Sequence, residues 1–168
     1  MLNTLQLGLD PGDTRDLFED APHLKCVDLG RGGWQVNWAS LTILKTSDFF
    51  GSDDKILSVL GQAERFEKLA ICQSLDGAFA LDQMTSLLSF PDLEVLAIVG
   101  FGLLSVLHTP SLEDLYIDYS NELRMSHTII ISFLSRSSCR LRRLGLAACS
   151  AASLTNILQY TFEPGRQR

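Results

Sequence analysis

The sequence predicts an α/β fold: an open, curved solenoid of about seven strand-plus-helix or strand-plus-turn units, with a parallel sheet on its concave face. Three observations carry this expectation. Leucine or another apolar residue recurs in the spacing L-x-x-L-x-L at seven places, starting near residues 2, 24, 41, 66, 93, 112 and 141. The starts lie 17 to 29 residues apart, close to the period of a short strand plus its return segment. Proline stands two residues before the first apolar position in three units, at Pro22, Pro91 and Pro110. Each unit has one apolar edge that it cannot bury alone, so stacked neighbours build a continuous core.

Taken in order, Leu2, Leu5 and Leu7 open the array, and Asp10-Pro11-Gly12 turns the chain. Asp13 is placed to cap a short helix carrying Leu17 and Phe18; Pro22 ends it, because the residue before a proline is pushed out of helical geometry. Leu24, Val27 and Leu29 form the second unit. The following Gly30-Arg31-Gly32-Gly33 resembles a phosphate loop only superficially. The third glycine of G-x-G-x-x-G would fall at Gln35, and Trp34–Trp38 does not start a helix. The stretch reads as a glycine-rich turn, with both tryptophans covering the core.

The third unit, Leu41, Leu44 and Thr46, has a weak last position. Ser52 is placed to cap a helix on which Ile56, Leu60 and Ala63 share a face, with Asp53 and Asp54 suited to the positive end of its dipole. Phe66, Leu69 and Ile71 make the fourth unit, and Leu81, Met84 and Leu88 are expected on one helical face in its return. Leu93, Leu96 and Ile98 follow. Their return, GFGLLSVLHT, shows neither polar face nor cap, so an extended or single-turn connection is expected. Leu112, Leu115 and Ile117 precede a helix capped by Ser126 and built on Ile130, Phe133 and Leu134. Leu141, Leu144 and Leu146 complete the set, before a last helix with Ser153, Leu154, Ile157 and Leu158. The repeats thus fill residues 1–162, and the polar tail 163–168 is expected to be disordered.

The clearest unit is Ser132–Cys149, SFLSRSSCRLRRLGLAAC, which reads L-x-x-L-x-L-x-x-C, the spacing of a leucine-rich repeat. Cys149 falls where such repeats place Asn or Cys to bind backbone in the turn; Asp10, Ser74 and Ser120 occupy equivalent slots. Beyond the spacing, APHLKCVDLG, WASLTILK, ILSVLGQAERFEKLAI, FPDLEVLAI, TPSLEDLYIDYS and FLSRSSCRLRRLGL together resemble the leucine-rich-repeat region of fungal F-box proteins, particularly the basidiomycete kind. The resemblance covers nearly the whole chain. It implies repeats that present a protein for ubiquitination while an F-box docks on the adaptor of a cullin-type ligase. The repeats open at Leu2, leaving no room within these residues for an F-box or a polar cap. Adaptor binding is therefore expected only with an F-box upstream. The alternative expectation is a truncated or degenerate repeat fragment with no retained activity, and an enzyme stands a distant third.

Composition narrows the partners. Apolar residues make up 46% of the 168, enough for a packed core. Twenty acidic against 14 basic residues give a net charge of −6, the wrong sign for nucleic acid. The cluster Arg136, Arg140, Arg142, Arg143 reads as a solvated link and strand face. The longest apolar run, Val95–Leu107, is too short to span a bilayer, so no membrane partner is expected. Four scattered cysteines without a C-x-x-C pair point to an intracellular, cytoplasmic or nuclear setting. His23, His108 and His127 stand apart in different turns or helix starts, without Cys, Asp or Glu at metal-ligand spacing, and no catalytic motif is present. Neither a catalytic residue nor a metal or other cofactor is expected.

Because side chains alternate along a strand, residues between the buried leucines face outward. Three outward rows follow, centred on Gln6-Asp28-Lys45-Ala70-Ala97-Tyr116-Gly145. The middle is apolar, and Tyr116 lies beside it. A protein partner is accordingly expected at Ala70, Cys72, Val95, Ala97, Val99, Asp114, Tyr116 and Asp118, an apolar and aromatic centre with a polar rim.

Overall fold

The computed structural model describes residues 4–7, 25–29, 40–46, 53–63, 65–74, 87–118, 127–147 and 151–162. Expectations placed on Leu2, Asp10–Phe18, His23, Leu24, Gly30–Trp38, Ser52, Leu81, Met84, Ser120, Ser126, Cys149 and the tail 163–168 lie outside them.

The chain is a mixed α/β structure whose main sheet has seven strands and does not close into a barrel. The strands are β1 (Thr4–Leu7), β2 (Cys26–Leu29), β3 (Ile43–Thr46), β4 (Lys68–Ser74), β6 (Val95–Val99), β8 (Asp114–Asp118) and β9 (Arg143–Ala147). They lie side by side in chain order and every pairing is parallel. Parallel neighbours need a crossover connection. Here the return segments hold α1 (Asp53–Gln62), α2 (His127–Ser137) and α3 (Ala151–Phe162), or a single 3-10 turn at Gly102–Ser105.

Each strand begins two residues after the first apolar position of its unit, and the backbone explains the offset. The residue just before the strand offers its carbonyl to two successive amides of the next unit. Lys25 O accepts from Thr42 N and Ile43 N at 3.0 and 2.9 Å, and Thr42 O from Glu67 N and Lys68 N. Glu67 O accepts from Glu94 N and Val95 N, and Glu94 O from Glu113 N and Asp114 N. Glu113 O accepts from Arg142 N and Arg143 N at 2.7 and 3.1 Å. The repeat is therefore written in the main chain as well as in the leucines.

One core runs beneath the strands. The first apolar positions Leu41, Phe66, Leu93 and Leu112 are fully buried. So are Val27, Leu44, Leu69, Leu96 and Leu115 at the second position, and Ile71, Ile98 and Ile117 at the third. Thr46, the weak third position, is also buried, and its hydroxyl has no hydrogen-bond partner among the described residues. Leu60 of α1 and Ala63 just after it, Ile130, Phe133 and Leu134 of α2, and Ile157 of α3 join the same cluster. The helices thus cover one side of the sheet. Phe66 and Phe90 meet in a tilted ring pair with centroids 5.7 Å apart.

The return after β6 is the expected single turn followed by extended chain. Gly100, at φ 81°, makes the bend that leads into it, a conformation that costs glycine little. The extended part is β7 (Leu107–His108), which pairs in parallel with β5 (Leu88–Ser89). Leu88 therefore belongs to a strand and not to a helical face with Leu81 and Met84, because the neighbouring return offers it a backbone partner. His108 likewise sits in this small sheet, its Nδ1 3.2 Å from Ser89 Oγ.

The last turn of α2 fastens that return. Arg136 donates from Nε to Leu107 O and from Nη2 to Leu104 O, and Ser137 Oγ accepts from Thr109 N. Partial burial lowers the Arg136 pKa, yet both its bonds require the guanidinium donors. Ser138 closes the helix in the left-handed region at φ 51°, its amide bonded to Leu134 O. On α3, Leu154 and Leu158 are exposed although the spacing predicted them inward with Ile157; no described strand lies beyond β9 to cover them.

Candidate functional site

The sheet face turned away from the helices carries three rows of side chains, fixed by the strand register. The central row runs Asp28, Lys45, Ala70, Ala97, Tyr116, Gly145. One flank runs Cys26, Ile43, Lys68, Val95, Asp114, Arg143. On the other flank Val99, Asp118 and Ala147 are register partners. Cys72 leaves this last row: the ladder shifts between Ile71 and Ser74, so Ser74 stands opposite Val99. A β-bulge of this kind re-aims the residues it contains. Cys72 nevertheless remains exposed on the same face.

Small side chains make the middle of this face low. Ala70, Ala97 and Gly145 follow one another across the sheet, interrupted by Tyr116 between Ala97 and Gly145. The tyrosine is 38% exposed. Its ring lies over Gly145, where an added Cβ would meet Tyr116 Cδ1 at 2.5 Å. Glycine at this place lets the ring lean across the neighbouring strand instead of standing away from the sheet. Beside it, the ends of β4, β6, β8 and β9 frame a shallow groove of about 450 Å³ lined by Cys72, Ala97, Val99, Tyr116, Asp118 and Ala147 among others. Its walls are overwhelmingly apolar.

Five of the eight expected contact residues, Cys72, Ala97, Val99, Tyr116 and Asp118, line this one depression, while Ala70 and Val95 lie on the same face outside it. Asp114 is buried instead of facing outward. It is 5% exposed, and its carboxylate takes two hydrogen bonds from Arg143, Nε to Oδ1 at 2.8 Å and Nη2 to Oδ2 at 2.5 Å. That fork-to-fork pairing occupies the carboxylate within its own sheet. The same pairing raises the Arg143 pKa, chiefly through the Asp114 hydrogen bond. One step further along the chain, Arg142 pairs with Glu113 at 3.2 Å, an exposed bridge that contributes little. With Arg136 holding backbone carbonyls, three members of the arginine cluster serve cross-strand or helix-to-loop contacts.

Sequence alone placed the rows but not the Tyr116–Gly145 stacking, the Arg143–Asp114 fork or the bulge. A signal for the fork existed: residues 29 apart in sequence occupy the same slot of adjacent units with opposite charge. Among the described residues no group of three His, Cys, Asp or Glu could hold a metal ion, and no helix is long and apolar enough to cross a membrane. Cys26, Cys72 and Cys139 are free thiols. Burial pushes the Cys139 thiol up to about 11, against thiolate chemistry at neutral pH.

The chain matches no family model, no curated protein and no solved structure.

Proposed function

We propose that the chain is a protein–protein interaction module built as a leucine-rich-repeat solenoid, resembling the substrate-recognition repeats of F-box ubiquitin-ligase subunits. The partner protein docks on the outward sheet face, which this reading makes the concave side. One observation carries the proposal: the half-exposed Tyr116 ring lying over Gly145 at the rim of an apolar groove. A tyrosine supplies a large, rigid contact surface with a hydroxyl at its tip, and ordered aromatic anchors beside small residues are favoured at the centre of interfaces. The more polar positions Asp28, Lys45 and Lys68 lie toward the other end of the face. Attachment to a ligase adaptor belongs to an F-box and is proposed only for a chain that carries one upstream.

The test is the double substitution Val99→Asp/Tyr116→Asp. Both residues are on the solvent side of the sheet, so the thermal transition should stay close to that of the parent. Partner capture should fall at least tenfold. Undiminished capture by the folded double variant places the interface elsewhere.

A further inference from the structure

Taking the outward sheet face as the docking side, as proposed above, we infer that its occupant is an extended acidic segment of a partner protein. An apolar side chain of that segment enters the groove beside Tyr116, and a carboxylate about four residues away lies between Lys45 and Lys68.

The charges on this face are sorted. Lys45 on β3 and Lys68 on β4 are both exposed, and among the described residues neither makes an ion pair. The register pairs Lys45 with Ala70 and Lys68 with Ile43. The two lysines therefore stand two positions apart on neighbouring strands, with Cα atoms about 8 Å from each other. Like charges at that spacing repel, and a carboxylate between them relieves the repulsion. The acidic side chains of the face are placed elsewhere. Asp114 is engaged by Arg143, which leaves that pair neutral. Asp28 is half-buried one strand beyond Lys45, away from the groove. Asp118 lines the groove itself, on β8, with β6 between it and the nearer lysine strand. Glu67 and Glu94 are exposed one residue before their strands, outside the outward rows. The chain as a whole carries a net charge of −6, so the lysine pair is a local cationic spot and not part of a basic surface.

The central row sets the spacing. Lys45, Ala70, Ala97 and Tyr116 follow one another on adjacent strands. Three strand spacings put the lysine about 14 Å from the tyrosine, a distance that an extended chain covers in about four residues. The two alanines between them leave a low apolar floor. At about 450 Å³, the groove takes a side chain or two and not a folded domain. An acid is favoured over the lysines and disfavoured beside Asp118, so charge sets the direction in which the segment lies.

Random dodecapeptides displayed on phage and selected on the immobilised full chain test this, with single peptides then measured by fluorescence anisotropy. The selected peptides should carry Asp or Glu about four residues from a large apolar residue. Lys45→Glu/Lys68→Glu should weaken them about tenfold at low salt, and the effect should shrink to about twofold at about 0.5 M NaCl. Tyr116→Ala, which changes no charge, should weaken them about as much. Peptides that require Tyr116 but show no acidic bias, or that ignore the lysine substitutions, overturn the inference and leave the docking face standing. An empty selection also overturns the inference. Peptides indifferent to Tyr116→Ala overturn it together with the docking face. If the lysine variant does not fold, the salt dependence of peptide binding to the parent chain decides by itself: affinity that does not fall with salt overturns the inference.

Discussion

Tyr116 and Gly145 are register partners on adjacent strands, and the tyrosine ring lies across the glycine with no room for a methyl group between them. The relationship ties a local backbone choice to the shape of the whole face. Gly145→Ala should lift the ring without unfolding the chain, because an exposed ring can swing toward solvent. The expected cost in stability is at most about 1 kcal/mol, below the usual range for overpacking a closed core. Tyr116 fluorescence and its accessibility to nitration should both change. Unaltered values in the variant would mean that the ring does not rest on Gly145.

Thr46 stands where other units place isoleucine or leucine, and its buried hydroxyl lacks a partner among the described residues. Thr46→Val keeps the shape and removes the stranded polar atom, so it should stabilise the chain by about 1 kcal/mol. Urea denaturation is the measurement: the midpoint should rise with an unchanged slope. A lower midpoint would show that the hydroxyl is satisfied.

Ser138 ends α2 with a positive φ of 51°. Glycine adopts that conformation without the Cβ penalty, so Ser138→Gly should stabilise the chain by about 0.5–1 kcal/mol. Ser138→Val should destabilise it by more than that. Equal midpoints for the two variants would contradict the helix-end geometry.

Cys139 gives a pH dependence with a definite sign. Burial raises its folded-state pKa from 9.0 to about 11. Between those values the unfolded chain loses the thiol proton while the folded chain keeps it, so the folded state binds more protons. Stability from this group is complete below pH 9 and declines as pH rises from 9 toward 11. Cys139→Ala should flatten the stability–pH curve in that window. A variant that loses stability over pH 9–11 as steeply as the parent would assign the dependence to other groups.

The parts legible in the sequence are those set by period. A leucine or isoleucine every second or third residue determines which strand residues face the core, so the rows through Ala70, Ala97 and Tyr116 could be written down directly. The α2 face of Ile130, Phe133 and Leu134 was readable for the same reason. What period cannot express is a neighbour's contribution. Leu88 joins a strand because another return segment lies beside it. Ser74 replaces Cys72 opposite Val99 because β4 bulges. Asp114 leaves the contact set because Arg143 lies one strand away. The paired amides on the Lys25, Thr42, Glu67, Glu94 and Glu113 carbonyls are invisible in side-chain identity altogether, since any residue supplies that oxygen.

The central claim, that a protein docks on the sheet face around Tyr116, is tested most directly by site-specific photo-crosslinking. A benzophenone amino acid is placed at Ala97 or Tyr116 on this face, and at Ser132 or Ser135 among the exposed positions of α2. In extract from the native cells, one protein adduct common to positions 97 and 116 is predicted, with none at 132 or 135. The same adduct at the helix positions, with positions 97 and 116 silent, would contradict the account.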